Sequence, residues 1–256
     1  MKNISIITPT FNRVEALKRN IESVSKQNFK NKEHIIIDNL SNDGTEELIR
    51  NYKASVSYSV IYIREKDFGI YNAMNKGIKN ASGEWIHILN SDDYYYSNNS
   101  LEIFFSEDTT KFDIIAHSIM VKKVRCGNDM LYKCDPEYMS DLNVYRLPHA
   151  GVFIKKKFHE LNGYYSEKYK ILSDSMFLIR NLSKANFKIN KTPLVVMTDS
   201  GVSSKFSLTR TYEFLVYNFI YFRGPLKFKL KFTLLNLKGD LRLLLKQIKD
   251  LFVKNN

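Results

Sequence analysis

Cysteine is scarce in this 256-residue chain, long apolar runs are absent, and the commonest phosphate-binding loops are missing. The two cysteines, Cys126 and Cys134, form no CxxC pair and sit in no histidine cluster, which argues against a disulfide framework or a zinc site and leaves reduced, structural thiols. No stretch approaches the roughly 18 to 20 uninterrupted apolar residues of a membrane-spanning helix. The N-terminus also lacks the basic-then-apolar order of a secretory signal, so the chain is expected to stay in the cytoplasm where it is made. Neither GxxxxGKS/T nor a strand-linked GxGxxG occurs, so a phosphate-bearing ligand needs another device. Internal repeats and low-complexity linkers are absent as well.

What is present is a globular composition, 44% hydrophobic, enough for one large core or two modest ones. The first hundred residues repeat one theme. "NISIIT", "EHIIID", "YSVIYI" and "EWIHIL" read as strands, and Arg13–Lys26, Asp43–Tyr52 and Ile70–Lys79 read as helices between them. In the first helix Val14, Leu17, Ile21 and Val24 recur three or four apart and share a face. Alternating strands and helices predict a mainly parallel central sheet covered on both sides, with ligands bound beyond the carboxyl ends of the strands. From Lys111 on the pattern is mixed: "FDIIAHSIMV" and "GVFI" read as strands and Ser173–Ala185 as a helix, which predicts antiparallel additions and a second lobe.

Four polar clusters follow the first four strands: "PTFN" (Pro9, Thr10, Phe11, Asn12), "DNLSNDGT" from Asp38, "EKDFG" around Asp67, and "NSDD" (Asn90, Ser91, Asp92, Asp93). Each alone reads as an ordinary turn. Four in register, ending in adjacent carboxylates, read as one functional rim. Two carboxylates at a strand end suit Mg²⁺ or Mn²⁺, whose remaining positions are characteristically filled by phosphate oxygens and water. Tyr94, Tyr95 and Tyr96 follow at once, and their faces and hydroxyls are suited to packing on a sugar; with 16 tyrosines in the chain, a plain core-and-turn reading stands beside that one.

The series "SIITPTFNR", "IIIDNLSNDGT", "DFGIYNAMNKGIKNASGEWIHILNSDD", "LPHAGVFIKKKFHELNGYY" and "LSDSMFLIR" resembles the family 2 inverting glycosyltransferases of the GT-A fold, particularly bacterial enzymes of surface polysaccharide synthesis. The resemblance spans roughly residues 3–204. It implies an α/β nucleotide-diphospho-sugar transferase fold and an inverting transfer of a hexose or N-acetylhexosamine from a nucleotide sugar, with UDP the usual carrier. It implies that Pro9, Thr10, Phe11, Asn12, Asp38, Asp67 and Asn75 line the nucleotide-sugar pocket, Asp38 accepting from the base imide. In "NSDD" the family's DxD is matched by Asn90, Ser91 and Asp92, so that Asp92 is the metal-coordinating acid and Asp93 a neighbour of the donor sugar. "LSDSMFLIR" matches the family's EDxDLxxR helix, which implies Asp174 as catalytic base, with Ser173 and Met176 standing where the family has acids. On position alone Ser173 or Asp174 equally reads as a helix N-cap. His149 in "LPHAG" matches a histidine near the acceptor or the metal, and reads equally as a structural histidine. These replacements leave an inactive sugar-nucleotide-binding or scaffold protein as the alternative.

Residues 205–256 carry 11 basic and 3 acidic residues, most of the chain's net +12. The segments 207–222 and 225–253 read as helices split by "RGP", although "LKFKLKF" alternates like a strand. Leu237, Leu241, Leu244, Ile248 and Leu251 make a helical stripe, with Lys238, Arg242, Lys246 and Lys249 elsewhere around the axis. Such a basic amphipathic tail suits the anionic inner face of the cytoplasmic membrane, where lipid-linked oligosaccharide acceptors reside; packing on the catalytic domain or in a homo-oligomer is the alternative. Basic residues interleaved with leucine do not read as a nucleic-acid platform. The expected division is a catalytic domain over 1–204, its nucleotide-sugar half about 1–110 and acceptor half about 111–204, followed by a basic helical extension.

Overall fold

The computed structural model describes residues 4–123, 129–134, 147–198, 207–221 and 226–254, without the side chains at 228, 232 and 246–254. Cys126, the "RGP" breaker and the stripe side chains of Lys246, Ile248, Lys249 and Leu251 lie outside the described residues.

Isoleucine-rich runs form the first strands: β1 (Ile4–Thr10), β2 (Lys32–Asp38), β3 (Ser59–Arg64) and β4 (Trp85–Ile88). Every residue of β1, β2 and β4 is buried, as expected of parallel strands covered on both faces. Between them run α1 (Val14–Ser25), α2 (Thr45–Ser55) and α3 (Ile70–Asn80). Because side chains alternate across a strand, Ile7, Ile35 and Ile37 meet Tyr71, Met74 and Ile78 of α3, while Ile36 meets Leu17, Ile21, Ile49 and Tyr52 of α1 and α2. Helix α3 lies so close to β1 that a Cβ on Gly77 would stand 2.3 Å from Ile7 Cγ2.

The second half adds β5 (Tyr94–Tyr95), α4 (Ser100–Phe105), β6 (Ile114–Lys122), β7 (Met130–Tyr132), a 3₁₀ turn (His149–Gly151), β8 (Val152–Lys155), α5 (Lys156–Asn162), α6 (Ser173–Asn181) and β9 (Phe187–Thr198). Among the described residues the strands form one sheet in the order β3-β2-β1-β4-β8-β6-β9-β5, with β7 also on β6. Strands β1 to β4 are parallel, β8 is antiparallel to both β4 and β6, and β5 is antiparallel to β9. Antiparallel register sets the start of β8 beside the end of β4, His87 pairing with Phe153. The His149 turn therefore shares an edge with the loops that follow β1 to β4.

The tail is helical: α7 (Leu208–Val216) ends in a π-helical turn (Tyr217–Tyr221), and α8 runs from Leu226 to Lys254. "LKFKLKF" opens α8, which overturns the strand alternative; the segment has no β-branched residue, and leucine and lysine are strong helix formers. Val216 and Tyr217 pack on Met176 of α6. Helix α8 is fastened to α7 by Thr211 Oγ1 donating to Asp240 (2.6 Å), by the Arg210–Asp240 ion pair, and by Asn218 donating to Thr233 (3.5 Å). Away from that seam Leu226, Leu230, Leu234, Leu237, Leu241 and Leu245 are exposed. At about 100° per residue they fall in one stripe, and exposed Lys227, Lys231, Lys238 and Arg242 border it. No described helix is long and apolar enough to cross a membrane.

Candidate functional site

The loops after β1 and β2 are stitched together by their own polar side chains. Asn12, at φ 49°, donates its N–H to Ser41 Oγ (2.8 Å) and accepts from the N–H of Asn42 (2.9 Å), while Asp43 accepts from the N–H of Val14 (2.9 Å). Pro9 and Thr10 are buried and Phe11 is exposed; Thr10 Oγ1 is buried without a hydrogen-bond partner. Asp38, at the end of β2, is fully buried. Its Oδ1 accepts from the N–H (3.0 Å) and hydroxyl (2.5 Å) of Ser41, and its Oδ2 accepts from Tyr62 (2.7 Å) with Arg64 Nε at 3.7 Å. Arg64, which the sequence reading missed, shields that oxygen from solvent and would have to turn aside for a base N–H to reach it.

The loop after β3 is tied to the second by Asp67, whose N–H donates to Asn39 Oδ1 (2.7 Å). The Asp67 carboxylate pairs with Lys76 at 2.7 Å, yet burial holds its pKa above the ordinary carboxylate value. Asn75 is engaged within the protein: its amide donates to Tyr165 O and Glu167 Oε1 (both 2.9 Å) and accepts from Tyr165 N (3.1 Å).

The "NSDD" loop is gripped from below by Asn20, a buried residue of α1 absent from the sequence reading. Its Nδ2 faces the carbonyls of Leu89 (3.3 Å), Asn90 (3.0 Å) and Asp93 (3.0 Å). Asp93 turns inward, accepting from Thr198 N and Asn90 Nδ2 at 3.3 Å each, and burial together with neighbouring Asp92 drives its pKa well above the carboxylate range. Asp92 stands 3.6 Å from Arg13. Ser91 is buried, and Asn90 Oδ1 is buried without a partner. Asp92 and Asn90 together offer hard oxygen donors of the kind Mg²⁺ or Mn²⁺ takes; no group of three His, Cys, Asp or Glu gathers among the described residues, so a cation here would draw its other ligands from phosphate and water.

The three tyrosines separate. Tyr95 is a core residue whose hydroxyl meets His87 Nδ1 at 2.9 Å, because the β5 pairing turns it inward, so it is not beside a sugar. Tyr94 and exposed Tyr96 line a surface depression of about 320 Å³ with Arg19, Lys26 and Lys122.

Asp174 lies in the first turn of α6, whose N-cap is Leu172, with no side-chain capping bond. The capping alternative for Ser173 and Asp174 therefore fails; Ser173 Oγ is buried and unpartnered. Instead Asp174 Oδ1 faces the hydroxyl of Tyr71 (3.0 Å), which also donates to Ile171 O (2.7 Å). Tyr71 sits in the first turn of α3, directly after the β3 loop, so the contact fixes Asp174 at the same carboxyl edge as Asp92. Burial, then the charge of Asp174, push the Tyr71 phenol well above its usual pKa. His149 meets Tyr165 Oη at 3.0 Å, and burial lowers its pKa.

Comparison with known proteins agrees with this architecture. The chain is 25% identical over 183 residues to a PGL/p-HBAD biosynthesis glycosyltransferase of Mycobacterium tuberculosis, covering 70% of this chain and 69% of the relative. It is 31% identical over 123 residues to the putative teichuronic acid biosynthesis glycosyltransferase TuaG of Bacillus subtilis, covering 46% of this chain and 48% of that one. Residues 1–349 of S. aureus TarS, solved with UDP-GlcNAc, superpose with a TM-score of 0.68 at 19% identity, over 90% of this chain and 70% of that one. A mannosyltransferase from Pyrobaculum calidifontis, in complex with GDP-Man and Mn²⁺, gives 0.59 at 15% identity, over 84% and 61%. The fold is thus the GT-A type, a mixed sheet flanked by helices with a helical C-terminal extension. Residues 5–181 match the family described as Glycosyl transferase family 2, and the chain belongs to it.

Proposed function

We propose that this glycosyltransferase moves a hexose or N-acetylhexosamine from a UDP-sugar to a lipid-linked saccharide, with inversion, in the synthesis of O-antigen, capsule or another surface polysaccharide. The observation that carries the reading is the contact of Asp174 with Tyr71, in the first turn of α3, which supports a base at the strand-end edge that the loop with Asp92 also borders. Asp174 removes the acceptor hydroxyl's proton as that oxygen attacks the anomeric carbon from the face opposite UDP. The first two loops and Asp67 bound the nucleotide, while Asn75 acts through the Tyr165–Glu167 segment it holds. Asp92 and Asn90 would hold Mn²⁺ or Mg²⁺, which when bound neutralises charge growing on the diphosphate. His149 borders the acceptor side. The TarS complex with UDP-GlcNAc supports the choice of donor, and the teichuronic acid relative supports a surface-polymer acceptor.

The exposed leucine stripe of α8 and its basic border support an anionic membrane surface, such as the inner face of the cytoplasmic membrane, over a second subunit. The test is UDP release from a panel of UDP-sugars with short lipid-linked saccharides, with Mn²⁺ or chelator, for wild type and Asp174→Asn. Turnover that needs the cation and falls about 10²- to 10⁴-fold in the variant, UDP binding being kept, is expected. Equal rates in the two proteins would remove Asp174 as base, and no turnover in either would point to the inactive sugar-nucleotide-binding scaffold.

A further inference from the structure

Glu213, on α7, is almost completely buried, and its carboxylate points at the loop that leads into α6. Oε1 accepts the N–H of Lys170 at 2.6 Å, and Oε2 accepts those of Ile171 and Leu172 at 2.9 Å each. Leu172 is the N-cap of α6 and its N–H is one that the helix leaves unpaired; Lys170 and Ile171 lie just before it, at the end where the helix dipole favours negative charge. On the other side of the same segment Tyr71 Oη lies 2.7 Å from Ile171 O and 3.0 Å from Asp174 Oδ1, its single proton shared between the two. The backbone two to four residues before Asp174 is therefore clamped, its carbonyl by α3 and its amides by α7. The Ser173 hydroxyl is unpartnered, and the carboxylate that meets the segment before it comes from a helix beyond the family match at 5–181. Asp240 of α8, bonded to Thr211 and paired with Arg210, braces that helix in turn.

We infer that Glu213 is the positioning residue for Asp174, so that the C-terminal helices complete the transferase site as well as flanking it. This rests on Asp174 being the base. Without the carboxylate three amides lose their acceptor, the segment shifts, and Asp174 leaves its alignment with the acceptor hydroxyl. The donor loops, which Glu213 does not touch, keep their geometry.

The experiment compares full-length wild type, Glu213→Gln and Asp174→Asn, with kcat expressed per UDP-binding site titrated by calorimetry. In Glu213→Gln, whose amide offers one acceptor oxygen and sets an NH₂ against the backbone N–H groups, kcat per site is expected to fall about 10- to 100-fold while donor KM and UDP affinity stay within about twofold. An unchanged kcat per site, with all loss of activity tracking loss of UDP sites, would overturn the positioning role and leave a merely structural one. Asp174→Asn at the wild-type rate would instead sink the base assignment; Asp174→Asn inactive beside a fully active Glu213→Gln sinks the positioning role alone. Should Glu213→Gln not fold, hydrogen exchange of the wild-type protein decides: protection of the Lys170–Leu172 amides is expected, and exchange at the rate of open chain would overturn the inference.

Discussion

Replacing Asp38 by asparagine tests whether this buried carboxylate reads the nucleotide base or only shapes its loop. A carboxylate offers about four lone-pair positions. Ser41 takes both on Oδ1 through its N–H and hydroxyl, and Tyr62 takes one on Oδ2, leaving a single acceptor position behind Arg64. An asparagine that keeps its oxygen toward Ser41 and turns its NH₂ toward Tyr62, whose hydroxyl can accept, preserves the loop but leaves nothing for a base N–H. The loss is then one charge-assisted hydrogen bond, about 1.5 to 3 kcal/mol. In UDP affinity that is about 10- to 150-fold. Calorimetric titration of UDP at fixed Mn²⁺ measures it, with thermal melting to show that the fold is kept and Arg64→Ala as a variant that uncovers Oδ2. An Asp38→Asn protein that melts like wild type and binds UDP within twofold of it would refute the reasoning and assign Asp38 to the loop alone.

Asn20→Ala removes the donor facing Leu89, Asn90 and Asp93, and is expected to lower unfolding free energy by about 1 to 3 kcal/mol in urea titration and to weaken UDP binding together with it. Gly77→Ala drives a methyl group into the fully buried, stiff Ile7 side chain and should cost about 1 to 3 kcal/mol, read as a lowered urea midpoint at unchanged slope. Burial lowers the pKa of His34 and His87 to about 3, and of His117 and His159 to about 4. The native state thus binds fewer protons than the unfolded chain, so this stability is whole above about pH 6.5 and is lost on acidification at about 1.4 kcal/mol per pH unit per histidine, until the folded values are reached. Asp93, whose pKa is raised, works in the opposite sense. Melting temperature should fall steadily between pH 6.5 and 4.5; a flat profile would contradict the buried neutral histidines.

The first four strands and three helices were legible because isoleucine runs and three-to-four spacing report burial directly, and their ends fall within a few residues of those expected. Strand β9 was not: in "FKINKTPLVVMT" Phe187 and Ile189 alternate with Lys188 and Asn190 on a partly solvated stretch, exposed Lys191 and Thr192 interrupt the pattern, and the continuously buried apolar run is only Leu194–Val196. Tyr94 and Tyr95 make a two-residue strand, too short for any pattern to mark. Around the candidate site the loops could be read, since Asn, Asp and Gly cluster locally. Their supports could not: Tyr71 reaches Asp174 across 103 residues, and Glu213 reaches Lys170 across 43. Asn20 did leave a trace, a polar residue on the buried stripe of α1 between Leu17 and Val24. An amide on an apolar face implies a buried acceptor, although the sequence does not say which.

That amide has a consequence for how the molecule comes apart. Three carbonyls share one side chain rooted in the middle of α1, so the Asn90–Asp93 turn has no independent slack. Denaturant that frees the turn must also dislodge α1 from the sheet. If UDP binds as proposed, its retention and the far-ultraviolet dichroism should therefore vanish at one and the same urea concentration, with no window in which an intact scaffold no longer binds it.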